Sequence, residues 1–213
     1  MIKRILLLAA LLALCVTPLA AGAAKSYDAE RFDVEWQLTE GGVLEVTETV
    51  VFRFEGGPFT YVYRDLPTAY ADGVEFIGAA LDGTPLPQGA QPNQVEIERG
   101  DPIVVTWHFE PTSDATRTFQ LQYRVLGVIR QEGGADLFWW NALPTEYEYT
   151  IGSATVRLSY PPALQPSGPA EVRRGQAEIA QEAGQVTWVA RDLKPDTPLT
   201  VALPFPPGSL ISA

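Results

Sequence analysis

The chain has 213 residues, 46% hydrophobic and 19% charged, the balance of a folded globular protein with room for one or two domains. Its 26 acidic and 15 basic residues give a formal charge of −11, which excludes the clustered Lys and Arg that a nucleic-acid surface requires. One His (His108) and one Cys (Cys15) are too few for a His- or Cys-based metal centre.

Residues 1–24 place Lys3 and Arg4 ahead of an apolar run from Ile5 to Val16, followed by Pro18 and small residues. That order reads as a bacterial secretory signal peptide, with Ala21-Gly22-Ala23 as its cleavage site. An uncleaved anchor is the competing reading, since about 20 apolar residues suffice to span a bilayer. A lipid on Cys15 fits poorly, because bulky Leu14 precedes it and apolar sequence follows. Cleavage would leave 13 of the 15 basic residues against 26 acidic ones, a formal charge of −13, and no cysteine. The exported chain is then held by its apolar core rather than by disulfides. Residues 25–213 are expected to form one extracytoplasmic domain without a further membrane span.

Short alternating runs, punctuated by Gly, Pro and Asp, fill the rest of the chain. In the first, Phe32, Val34, Trp36 and Leu38 share one strand face, and Arg31, Asp33, Glu35 and Gln37 the other. Gly41-Gly42 predicts a turn into an antiparallel partner over 43–54. In that partner Glu48 falls among Leu44, Val46, Val50 and Phe52 on the apolar face, where an unpaired carboxylate costs several kcal/mol. Arg64, flanked by Val62 and Leu66, is the candidate partner for a bidentate pair. The pair reads as an internal clamp, or as the wall of a functional cleft.

Further strands are expected around 61–66, 74–81, 94–99, 103–109, 117–126, 151–160, 185–191 and 198–203, with turns at Asp82-Gly83 and Gly100-Asp101. No helical pattern separates them. The fold expected is therefore all-β, an antiparallel β-sandwich of immunoglobulin-like architecture, with little or no helix outside the signal peptide. Residues 161–170 read as a Pro-rich loop or minor boundary.

Trp36, Trp107 and Trp188 occupy alternating apolar positions and belong in the core. Trp139 and Trp140 are adjacent, so an extended chain points them to opposite faces and exposes at least one. With Asn141 and Tyr147 they form a candidate binding surface for sugars or peptides, against the alternative of a core corner. Catalytic motifs are lacking: no GxSxG elbow, no phosphate loop and no carboxylate spacing that singles out a pair. His108 lies on the polar side of its strand.

The segments 41–67, 121–130, 136–161 and 201–208 resemble, in order, the N-terminal region of predicted bacterial membrane proteins known as domain of unknown function 2207. Glu48 and Arg64 fall on the family's Val-Thr-Glu and Arg-x-x-Pro-like positions, the latter reading Arg64-Asp65-Leu66-Pro67 here, and Asn141 on its Trp-Asn position. The resemblance implies an exported β domain ahead of transmembrane helices, and this chain ends at Ala213 before any such helix. Membrane association would come from segments absent here.

The sequence thus points to a non-enzymatic extracytoplasmic module, without cofactor or catalytic residues, that binds an envelope protein or cell-surface polymer. Exposed strand edges could add a partner strand. Carbohydrate binding through Trp139, Trp140 and Tyr147, an enzyme built on Glu48, and a purely structural envelope domain are the other readings. Loop-bound calcium stays open, since oxygen ligands need no local motif.

Overall fold

The computed structural model describes residues 24–68 and 70–210. The predicted signal peptide lies outside the described residues except for Ala24, as do 211–213. The described residues form fifteen strands: β1 (Ser26–Leu38), β2 (Leu44–Glu55), β3 (Phe59–Leu66), β4 (Gly73–Leu81), β5 (Thr84–Pro85), β6 (Gln94–Glu98), β7 (Ile103–Thr112), β8 (Ala115–Leu126), β9 (Ile129–Glu132), β10 (Ala135–Asn141), β11 (Ile151–Ser159), β12 (Glu171–Arg174), β13 (Glu178–Glu182), β14 (Gln185–Leu193) and β15 (Thr200–Phe205). The protein is all-β, with no helix among the described residues.

The strands form three sheets. Eight make one large sheet in the order β13-β14-β11-β1-β2-β8-β4-β5; β12-β15-β10-β9 and β3-β7-β6 make two small ones. Strict alternation explains the large sheet: Phe32, Val34, Trp36 and Leu38 of β1, and Phe119, Leu121, Tyr123 and Val125 of β8, are buried. Opposite them, Glu35 meets Arg157, and Arg124 meets Glu45, in cross-strand ion pairs on the solvent face.

Both small sheets cover that single apolar face. Phe138 of β10 packs edge-on to Trp36, with ring centroids 5.5 Å apart, and Phe205 of β15 packs on Tyr160. From the three-stranded sheet, Phe109 reaches Phe54 and Phe119, while Trp107 donates its indole N–H to the Ala80 carbonyl at 3.2 Å. The two small sheets are not hydrogen-bonded to each other, and the seam between them sets β3 against residues 141–149, which lead out of β10.

Two expectations need correction. One ladder is parallel: β1 pairs with β11, a connection that sends everything from 39 to 150 through the rest of the fold before the strands meet. Residues 136–141, where no strand was expected, form strand β10, paired between β9 and β15. The run Asp136-Leu137-Phe138 is buried without alternation, because both of its sides are covered. Residues 161–170 carry no strand.

Gly152 marks the closest backbone approach in the parallel ladder. It lies opposite the β1 irregularity between Ala29 and Arg31, and a Cβ there would sit 2.9 Å from the Glu30 carbonyl oxygen. Gly152→Ala is expected to destabilise the protein by about 1–3 kcal/mol, as overpacking does. Gly78→Ala, whose new Cβ finds its nearest atom at 4.0 Å, should be neutral or slightly stabilising. Urea unfolding of both variants measures the contrast.

Candidate functional site

The floor of the seam holds a buried charged group. Glu48 is 3% exposed, on the apolar face of β2 between Val34 of β1 and Leu121 of β8. Tyr123, the diagonal neighbour on β8, donates its hydroxyl proton to Glu48 Oε1 at 2.7 Å. Arg64 reaches down from β3 in the covering layer and closes a bidentate pair, Nε to Oε2 at 2.8 Å and a terminal guanidinium nitrogen to Oε1 at 2.9 Å. Its other terminal nitrogen donates to the Asp65 carbonyl. The carboxylate thus accepts three hydrogen bonds, and the cluster links the large sheet to the three-stranded one.

Electrostatics follow from this geometry. Burial pulls the Arg64 guanidinium down, but the adjoining Glu48 carboxylate, through charge and hydrogen bonding, outweighs it and holds the group above its ordinary value. Burial, reinforced by the Glu48 charge, pushes the Tyr123 hydroxyl well up. Tyr149, facing the same pair, is raised chiefly by burial, an effect that Arg64 partly offsets. Glu48 lines none of the clefts that open on the seam, whereas Arg64 lines two.

The smaller recess, about 30 Å³, runs from Arg64 and Tyr70 to Trp139, Trp140 and Asn141. The larger cleft, about 390 Å³, follows β3 from Phe59 to Asp65 and is walled across by Pro144–Tyr149, over a floor of Tyr27, Phe52 and Phe54. Its rim carries exposed Tyr61 and Tyr63 on β3, with Glu146 and Glu148 opposite.

The candidate surface residues do not form one exposed platform. Trp139 and Trp140 are half-buried, and Trp139 already has the Arg130 guanidinium 4.2 Å from a ring centroid, with Tyr70 beside it. Asn141 is half-buried, its amide oxygen taking the Thr200 hydroxyl proton at 2.7 Å. Tyr147 is 4% exposed and donates its hydroxyl to the Thr197 carbonyl, so its ring is not available as a stacking platform. Exposed aromatics are instead Tyr61, Tyr63 and Tyr70, with Tyr27 less so; none was picked out by sequence, although the odd positions of Tyr61 and Tyr63 in YVYRD, opposite Val62 and Arg64, were an available signal. Across the β6–β7 hairpin His108 Nε2 lies 2.9 Å from Glu96. Among the described residues no group of three or more His, Cys, Asp or Glu side chains is placed to hold a metal ion.

Comparison with known proteins supplies a family and a fold. The model of the N-terminal domain of a predicted membrane protein family, DUF2207, matches residues 28–205. Comparison with curated proteins finds no match. Among solved structures, the chain is similar to an M1 zinc metallopeptidase from Deinococcus radiodurans, with TM-score 0.52 and 16% identity over 84% of this chain and 42% of that one. It is similar to native yeast LTA4 hydrolase, TM-score 0.53 and 12% identity, covering 84% of this chain and 29% of that one. A putative protease from Parabacteroides distasonis gives TM-score 0.50 and 13% identity, with 84% and 40% covered. At such identities the likeness is one of fold, and the chain spans less than half the length of each of these proteins.

Two outcomes test the buried cluster. Arg64→Met leaves Glu48 buried without its cation and is expected to cost about 3–5 kcal/mol in denaturant unfolding. Replacing the set together, Glu48→Leu with Arg64→Met and Tyr123→Phe, should restore most of that loss, since no polar group is then left unpaired. The second outcome concerns pH. Tyr27, Tyr123, Tyr147, Tyr149 and Tyr160 are all raised above 10.0, each chiefly by burial. Above about pH 10 the unfolded chain loses these protons while the folded chain keeps them. Their contribution is therefore fully present below pH 10 and lost as pH climbs beyond it, which unfolding midpoints measured between pH 9 and 11 would record as a steepening decline.

Proposed function

We propose that this chain, which belongs to the predicted membrane protein family DUF2207, is an extracytoplasmic docking module that binds another envelope component along the seam between its small sheets and performs no chemistry of its own. In this reading the large sheet is one layer of a β-sandwich, of broadly immunoglobulin-like architecture, and the two small sheets are its divided second layer. In this reading residues 1–24 direct export, and the module acts on the extracytoplasmic side.

The observation that carries the reading is the cleft of about 390 Å³ beside β3, with exposed Tyr61 and Tyr63 on its rim. Large exposed aromatics beside a preformed groove are what recognition surfaces present. The one buried carboxylate at the seam, by contrast, accepts three hydrogen bonds and is 3% exposed, which suits a clamp better than an acid–base catalyst. The solved structures that resemble the chain support a module in a further way: each is about twice as long or longer, so this fold occurs there as part of a larger protein. Their peptidase activity is not carried over, because the likeness is one of fold alone.

Site-specific photo-crosslinking in intact cells tests the proposal. A benzoylphenylalanine replacing Tyr63 is expected to give one defined adduct in the envelope fraction, and one replacing Gln122, on the solvent face of β8, none. Equal adducts from both positions, or none from Tyr63, would contradict it.

A further inference from the structure

The backbone of β3 is open toward the cleft, and the ladder geometry says which of its groups are free. In the β6–β7 pair, Val95 turns both its polar groups away from β7: its N–H goes to the Pro87 carbonyl and its C=O accepts from Gly89. The residues that bond across to β6 are then His108 and Thr106, and the His108 carbonyl does accept from Asn93. A strand residue points its N–H and C=O to one side. Tyr61, opposite His108, and Tyr63, opposite Thr106, therefore face away from β7 and into the cleft, while Val62 and Arg64 bond to β7. Among the described residues no backbone hydrogen bond outside the strand ladders reaches Tyr61 or Tyr63.

Three other edges of the fold are blunted. Residues 87–89 cover β6, β5 is two residues long, and β13 presents Glu178 and Glu182 on a fully exposed strand. The β3 edge instead opens on an aromatic floor. Its rim is acidic: Asp65, Glu146 and Glu148 are exposed, and none has an ion-pair partner among the described residues. Arg64 is spent on Glu48; Lys25, at the Phe59 end of the cleft, donates to the Pro58 carbonyl and keeps its charge, which leaves one cation against three carboxylates along the rim.

We propose that an extended segment of a partner protein adds to the edge of β3 as a new strand, carrying apolar side chains that alternate with Lys or Arg. This rests on the docking reading above and names the partner's chemistry. Residues set beside Val62 and Arg64 project onto the floor at Phe52, with Tyr149 of the facing wall beside it; those beside Tyr61, Tyr63 and Asp65 project outward. A cation at the outward positions meets tyrosine faces and the unpaired carboxylates. A second copy of this chain is a poor occupant, because both partners carry the same strong negative charge.

Fluorescence anisotropy of the purified protein with a labelled heptapeptide alternating lysine and valine tests this. Saturable binding that weakens with salt is expected, and a glutamate–valine peptide should not bind. N-methylation of the peptide in one alternating frame should weaken binding about ten-fold, whereas the other frame leaves it unchanged. Tyr63→Pro, which removes an outward N–H but spares the Val62 and Arg64 bonds to β7, should weaken it similarly with the circular dichroism spectrum unchanged. Equal effects of both methylation frames, or equal binding of the acidic peptide, would overturn strand addition by a basic segment. No binding of the lysine peptide, with the Tyr63 crosslink still forming in cells, would overturn it while leaving the docking reading intact.

Discussion

A sheet of eight strands with one apolar face must have that face covered, and every other feature follows from how the chain meets this demand. It does so with two small sheets rather than one large one. The cover is therefore divided, and a seam runs along the line where β3 and the connection after β10 approach each other. Glu48 lies under that seam, on a face otherwise made of hydrocarbon. The pair it forms with Arg64, completed by Tyr123, satisfies a charge that could not stay there alone, and it fixes the three-stranded sheet to the large one. Burial and satisfaction on one side of Arg64, open clefts on the other, separate what stabilises the fold from what is free to recognise a partner.

Sequence pattern reached part of this. Alternation in β1, β2, β7 and β8 was readable because each strand turns one face to the core and the other to solvent or the second layer. The same alternation exposed Glu48 as a carboxylate on the wrong face and pointed to Arg64. Tyr123 was legible only as a core aromatic, since its hydroxyl bond depends on the register that sets Leu121 opposite Glu48. Strand β13, EIAQE, is exposed at every residue and leaves no periodic trace. β10 was not among the expected strands because its buried run lacks a period of two, and the parallel pairing of β1 with β11 is a long-range choice that neither strand encodes by itself. The seam is a property of how sheets sit on one another, so neither the cleft nor the exposure of Tyr61 and Tyr63 had a local signature.

The acidity of the chain takes on a specific meaning at this place. On the solvent face of the large sheet several charges are arranged in cross-strand pairs, each contributing little, with Arg124 tied to Glu45 and Glu75 and Arg157 to Glu35. Around the cleft the carboxylates of Asp65, Glu146 and Glu148 have no such partners among the described residues; Arg64 is paired with Glu48, and Lys25 at the Phe59 end is one cation against the three. An unpaired acidic rim, exposed tyrosines and open backbone groups are three independent features that favour the same kind of occupant.

Strand β3 is held on one side and open on the other, and residue-resolved amide hydrogen exchange measures this directly. Slow exchange is expected for the N–H groups of Val62 and Arg64, which bond to β7, and exchange faster by orders of magnitude for Tyr61 and Tyr63 beside them. Equal protection along all four residues would mean that the edge is already covered and that no strand can be added there.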